Sequence, residues 1–203
     1  MKTHRPAAAS VPHTGNIAQF SLDNGITLLV YENFASPAVI VSGYFTAGMR
    51  DEAPLGTGLS GFVTDCLTRG TTRRSYAQIY DVTESIGASM GVSAGTHTSS
   101  LYAKSLAEDL PLMLDLLSDV VRHPSFPAEE LERERAEWIS ALRERENSTR
   151  AQSGMAFYDL CYPEGHPYHY PGGTLETARA ITREQVLEHH QTFFSPREMT
   201  LCI

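Results

Sequence analysis

Cysteine is scarce in this chain of 203 residues, and its spacing argues against a disulfide framework. Cys66, Cys161 and Cys202 are an odd number, lie far apart and form no C-x-x-C pair. Disulfide-rich proteins usually carry even sets of cysteines, whereas thiols inside cells stay reduced. The pattern therefore predicts a core without disulfides and a reducing compartment.

Long apolar runs are also missing. None approaches the roughly 18 residues that a transmembrane helix requires. The N-terminal segment is basic at its start but has no apolar stretch of the kind found in secretory signals. From these absences we expect no membrane partner and a cytoplasmic location, with the periplasm as an open alternative.

Basic charge is in deficit as well. The chain has 16 Lys+Arg against 24 Asp+Glu, which gives a formal net charge of −8. Nucleic acid phosphates and anionic lipids attract proteins of the opposite charge. We therefore expect no nucleic acid partner.

The composition fits one globular domain with a short tail. Residues 1–15 are rich in Ala, Pro and Ser and predict a flexible tail. Residues 16–203 are long enough for a substantial core, and the chain is 41% hydrophobic. Because residues 199–203 have the pattern of a core strand, we expect the chain to be a piece of a longer protein.

Strand and helix signals alternate without the regular order of βαβ units. Asn24-Gly25 between two apolar runs is a strong hairpin signal, and residues 38–45 predict a third strand. Residues 75–78 read SYAQ, a capping box that begins a helix. Two short strands, a helix near 109–121 and a long helix from Ala128 follow. The expected fold class is α+β, with a mostly antiparallel sheet covered by helices.

A helix predicted over residues 58–71, GLSGFVTDCLTRGT, carries the most information about function. Its apolar residues recur at helical spacing and form one stripe. The stripe consists of Leu59, Phe62, Val63, Cys66 and Leu67.

Seven segments in order resemble the pitrilysin/insulinase/mitochondrial processing peptidase family, the inverted zincins with an H-x-x-E-H motif. They are LDNGI at 22–26, AGMRDE at 47–52, the helix at 58–71, IGA at 86–88, HPY at 166–168, and the pair TREQVL and SPREMTL at 182–187 and 195–201. The resemblance is to the N-terminal type of domain, and it implies an α+β roll. In active members it implies one Zn²⁺ held by two histidines and a distal glutamate, with the motif's own glutamate as general base.

None of those residues is present here. In register with H-x-x-E-H, the two histidine positions are Gly61 and Asp65, and the base position is Thr64. The distal glutamate position is Ala141. Glycine and alanine have no donor atom, and one carboxylate is a poor substitute for a His₂Glu site. We therefore expect no catalytic residue and no metal cofactor.

Glu134 is the one further member of the family site that this chain retains. The resemblance makes it a carboxylate that supports the zinc ligands of active relatives. Two other interpretations remain open: a charged residue on a solvated helix face, or, with Asp65, a ligand for a hard cation.

The peptide-binding edge also departs from the family. Active relatives carry an Asn-Ala step on the strand where the peptide substrate adds to the sheet, and the corresponding positions are Gly91 and Val92. Strand addition itself needs only backbone groups. The edge is therefore altered but not excluded as a binding site.

Three hypotheses follow. The first is the inactive subunit of a heterodimeric peptidase, which pairs with a zinc-bearing homologous subunit and helps enclose unfolded peptides. The second is a scaffold or assembly protein with no proteolytic role. The third is a metallopeptidase that uses unconventional ligands such as Asp65 and Glu134.

Overall fold

A computed structural model describes residues 11–52, 57–163, 165–166, 168–169 and 172–203. Residues 1–10 of the predicted tail, 53–56 of a predicted loop and Pro167 of the HPY segment lie outside these residues. Residues 11–15 are exposed and form neither helix nor strand.

Six strands form one sheet with the order β1-β2-β6-β3-β5-β4. The strands are β1 (Ala18–Ser21), β2 (Thr27–Val30), β3 (Ala38–Phe45), β4 (Ser89–Ala94), β5 (Ser99–Leu106) and β6 (Met199–Cys202). All neighbours are antiparallel except β2 and β6. The hairpin at Asn24-Gly25 and the strand at 38–45 are confirmed, and so is the α+β fold class.

The described residues form seven α-helices. They are α1 (Leu59–Cys66), α2 (Tyr76–Ser85), α3 (Leu110–Arg122), α4 (Ala128–Asn147), α5 (Thr149–Cys161), α6 (Leu175–Ala180) and α7 (Arg183–Phe193). None of them is long and apolar enough to cross a membrane. The capping box predicted at Ser75 is present, since its hydroxyl accepts from the backbone N–H of Gln78 and the Gln78 side chain accepts from Ser75 N–H.

The core lies between one face of the sheet and the helices. Val41 and Phe45 of β3 and Leu101 of β5 are at most 2% exposed and face α1 and α3. Alternate residues such as Ile40 and Tyr102 are exposed on the opposite face. All five residues of the apolar stripe on α1 are buried, which confirms the helical pattern.

Two predictions differ from the structure. The helix predicted over 58–71 ends at Cys66, and a 3₁₀ turn (Leu67–Arg69) follows it. The helical run stops after Arg69, because Gly70 has a φ of 141° and Thr71 then pairs with Pro124. Helix α6 was not predicted, because it has only six residues.

Candidate functional site

The N-terminus of α1 is fixed by a carboxylate from outside the helix. Its N-cap residue, Gly58, has a φ of 76° and no side chain that could cap. Glu52, which is 4% exposed, takes that role. Its Oε2 accepts from Gly58 N–H at 3.0 Å and from the Thr57 hydroxyl at 2.8 Å, and its Oε1 accepts from Ser60 N–H at 2.8 Å. These bonds set the direction in which α1 leaves the preceding loop.

Helix α4 holds the other side of α1. The rings of Phe62 and Trp138 stack with centroids 5.5 Å apart. The Arg135 guanidinium lies 5.2 Å from the Phe62 ring centroid, and it donates to the carbonyls of Ala178 and Ile181 at the end of α6. Helices α1 and α4, which carry the positions that correspond to the zinc residues, are therefore packed together.

The four positions that replace the zinc residues are not assembled into a donor set. A Cβ added at Gly61 would meet no atom within 4 Å, and Ala141 is exposed on α4. Thr64 is 1% exposed, and its hydroxyl donates to the Gly61 carbonyl at 2.8 Å. Asp65 is the only one of the four with an ionisable side chain.

These side chains do not fit a catalytic zinc. Such a site needs three protein donors around the metal and an open position for water. Gly61 and Ala141 supply none, and the Thr64 hydroxyl is already hydrogen-bonded. Across the described ranges, no group of three or more His, Cys, Asp or Glu side chains is placed to hold a metal ion.

A cleft of about 230 Å³ does bring together the other predicted residues. Asp65 lines it from α1, Arg69 from the 3₁₀ turn that follows, Glu134 from α4, and Gly91 and Val92 from β4. Tyr76 and Thr68 complete its wall. Gly61, Thr64 and Ala141 do not line this cleft.

Glu134 is buried inside this cleft, so it does not lie on a solvated helix face as one interpretation held. It is 8% exposed and contacts Arg69 Nη2 through Oε2. Arg69 Nη2 also lies 3.0 Å from Glu137 Oε2, and its guanidinium carbon lies 4.9 Å from the centroid of the Tyr76 ring. Burial by itself lowers the pKa of Arg69, but the charges of Glu134 and Glu137 outweigh burial and raise the pKa.

The surroundings of the cleft also shift the pKa of Asp65. The protein atoms packed around it, followed by the charge of Glu134, raise the pKa of this carboxyl to about 6, while Arg69 opposes the rise. The Asp65 residue is nevertheless exposed to solvent, so water screens part of this effect. Burial raises the pKa of the neighbouring Cys66 thiol far above its ordinary value, so this cysteine is an unreactive core residue.

Strand β4 borders the cleft and ends the sheet. Within the described residues it pairs with β5 alone, so its outer backbone edge has no strand partner there. Val92 is 9% exposed and faces the helices, whereas a Cβ added at Gly91 would meet no atom within 4 Å. An extended peptide could therefore add to this edge beside Asp65 and Glu134.

The sequence prediction missed two residues that organise this site. Glu52 lies in the AGMRDE segment, but its capping role depends on a turn that brings it back to α1. Arg69 lies in the helical motif, but its contact with Glu134 spans 65 residues of sequence. Glu52 could have been identified only from a glutamate that recurs before this helix in related sequences. No local signal points to Arg69.

Comparison with known proteins finds similarity to one peptidase family. The family model of the insulinase family, peptidase family M16, matches residues 28–159. Cytochrome b-c1 complex subunit 1 of Bos taurus mitochondria is 27% identical over 207 residues, which cover 98% of this chain and 41% of the relative. A probable mitochondrial-processing peptidase subunit beta of Arabidopsis thaliana is 23% identical over 185 residues, which cover 89% of this chain and 34% of the relative.

A solved structure shares the fold. The crystal structure of a peptidase M16 inactive domain from Pseudomonas fluorescens superimposes with a TM-score of 0.86 at 20% identity, over 92% of this chain and 46% of that one. The chain thus spans less than half the length of each of these proteins. Because the family model covers well over half of its residues, the chain belongs to the insulinase family of peptidases, peptidase family M16.

Proposed function

We propose that this chain is part of the non-catalytic subunit of a two-subunit peptidase, in which it helps to enclose an unfolded peptide. The observation that carries the proposal is the contrast between an intact α1–α4 frame and the missing zinc donors at Gly61, Asp65 and Ala141. Without a metal-activated water, the hydrolytic nucleophile must come from another subunit. The expected partner is a homologous subunit with a complete H-x-x-E-H motif.

The comparisons support a subunit role in general terms. Two relatives are named as subunits, one of a cytochrome b-c1 complex and one of a mitochondrial-processing peptidase, and the structural neighbour is described as an inactive domain. The free edge of β4 supports peptide binding, because backbone N–H and C=O groups can pair with any extended chain. An altered Gly91-Val92 step is compatible with binding without cleavage.

The test is purification of the full-length protein from its source, alone and with its associated proteins. We expect the isolated protein to contain no stoichiometric zinc and to leave a labelled unfolded peptide intact. The complex should contain zinc and hydrolyse that peptide. Stoichiometric zinc together with hydrolysis by the isolated protein would falsify the proposal.

A metallopeptidase with unconventional ligands makes a different prediction for Asp65. If Asp65 bound the metal, Asp65→Ala would abolish hydrolysis in the complex and in the isolated protein. The matched control is Asp81→Ala, because Asp81 is an exposed aspartate on α2, away from the cleft. Our proposal expects both variants to leave hydrolysis by the complex unchanged within about twofold.

A scaffold role is the second candidate, and the similarity to a cytochrome b-c1 complex subunit favours it. A scaffold would co-purify with a large assembly in which neither peptide binding nor hydrolysis is detected. Fluorescence anisotropy of a labelled unfolded peptide separates the two roles, because the peptidase subunit should bind the peptide and the scaffold should not.

A further inference from the structure

Arg69 is a fixed cation between α1 and α4. Its side chain is 15% exposed and that of Glu134 is 11% exposed, so their contact is largely shielded from water. Arg69 Nη2 is shared with Glu137, and the Tyr76 ring packs against the guanidinium. An exposed ion pair would sample many geometries, but these contacts leave the guanidinium little freedom.

The charge balance of the cleft depends on this one side chain. Asp65, Glu134 and Glu137 bring three carboxylates towards it, and among the described residues Arg69 is the cation that pairs with Glu134. A buried carboxylate that loses its counter-ion is strongly destabilising, because its desolvation is then uncompensated. A positive charge beside Glu134 therefore stabilises the folded chain.

We propose that Arg69 supplies from within the chain the positive charge that Glu134 requires, so that the α1–α4 frame folds without a metal and the cleft is closed to metal cations. Arginine suits this role because its planar guanidinium can serve two carboxylates and stack on an aromatic ring at once. A cation entering the cleft would have to displace Arg69 from Glu134. This inference does not depend on the peptide-enclosing role, since it concerns the stability and metal affinity of the chain alone.

The test measures the melting temperature of the full-length protein in EDTA and in millimolar Mn²⁺, a cation that carboxylates bind well. The wild type should melt at the same temperature in both. Arg69→Met should melt about 6–20 °C lower in EDTA, as expected when a buried pair loses one partner. It should recover part of that loss in Mn²⁺, because binding to the folded state stabilises it.

The matched control is Arg133→Met on α4, where Arg133 pairs with Glu129 and Glu130 but is half exposed. This variant should lose no more than about 2 °C and should not respond to Mn²⁺. The double variant Arg69→Met/Glu134→Gln should regain stability in EDTA and lose the Mn²⁺ response. That result would locate the bound cation at Glu134.

Each other outcome counts against the inference. A wild type that gains several degrees from Mn²⁺ shows that the cleft is open to metal. An Arg69→Met protein as stable as the Arg133→Met control shows that Glu134 needs no counter-charge. If the melting temperature of Arg69→Met is the same in EDTA and in Mn²⁺, Arg69 is not what excludes cations. If Arg69→Met does not fold, the double variant decides: a folded double variant supports the inference, and an unfolded one overturns it.

Discussion

Replacement of Glu52 by alanine tests whether this carboxylate holds α1 in place. The change removes acceptors for two backbone N–H groups in the first turn of α1, those of Gly58 and Ser60, and for the Thr57 hydroxyl. Loss of a helix cap costs about 1 kcal/mol. A buried hydrogen bond to a charged group contributes about 1.5–3 kcal/mol. Because these terms overlap, we expect a loss of about 3 kcal/mol in the free energy of unfolding.

For a domain of about 200 residues, 1 kcal/mol corresponds to about 2–4 °C in melting temperature. Glu52→Ala should therefore lower Tm by about 6–12 °C. Glu52→Gln keeps one acceptor oxygen but points an amide N–H₂ at a backbone donor, so about half of that loss is expected. Circular dichroism during thermal and urea unfolding measures both changes.

The control is Asp109→Ala at the start of α3. Asp109 is also an acidic residue at a helix N-terminus, but its side chain makes no capping hydrogen bond. Its replacement should change the free energy of unfolding by less than about 0.5 kcal/mol. If Glu52→Ala and Asp109→Ala agreed within 1 kcal/mol, the bonds from Glu52 would not stabilise α1, and the reasoning would fail.

Three more predictions concern stability. Because the pKa of Asp65 is raised to about 6, its ionisation opposes folding as the pH rises through that value. Asp65→Asn should therefore raise Tm by roughly 1–3 °C at pH 7.5 but not at pH 4. An equal change in Tm at the two pH values would contradict this prediction. Gly61→Ala should raise the free energy of unfolding, measured in urea, by about 0.5–1 kcal/mol. Alanine favours the helix more than glycine does, and the added methyl group would meet no neighbouring side chain. A decrease in stability would refute that geometry. Asp119→Ala should cost about 3–5 kcal/mol in the same assay, because Asp119 is 1% exposed and binds Arg74 Nη1 at 2.6 Å. The half-exposed Asp115 also pairs with Arg74, and Asp115→Ala should cost much less than Asp119→Ala because water screens this pair.

Much of the fold could be predicted because its signals are local. The Asn24-Gly25 turn has Gly25 at a φ of 95°, which favours glycine and fixes the β1–β2 hairpin. The Ser75 and Thr182 capping boxes each satisfy backbone donors within three residues of themselves. The apolar stripe on α1 needed only the helical period.

The candidate site could be predicted in part. The sequence identified Asp65, Glu134, Gly91 and Val92, and the structure places all four on one cleft. Gly61 and Ala141 do not line this cleft. Motif spacing predicts where a residue lies along a helix, but not whether it lines a pocket. Whether the chain lacks peptidase activity stays a prediction until zinc and hydrolysis are measured.

The sequence by itself determined the family, the fold class and the absence of the H-x-x-E-H side chains, since these depend on residue identity and on periods of a few residues. Only the tertiary structure decided which charges meet. Arg69 and Glu134 lie on different helices, and Glu52 reaches back to the N-terminus of α1. Strand β6 fits between β2 and β3 although it is the last element of the chain. Such contacts join segments that are far apart in sequence. They form because packing the helices on the sheet removes charges and backbone groups from water, and a buried group without a partner costs free energy.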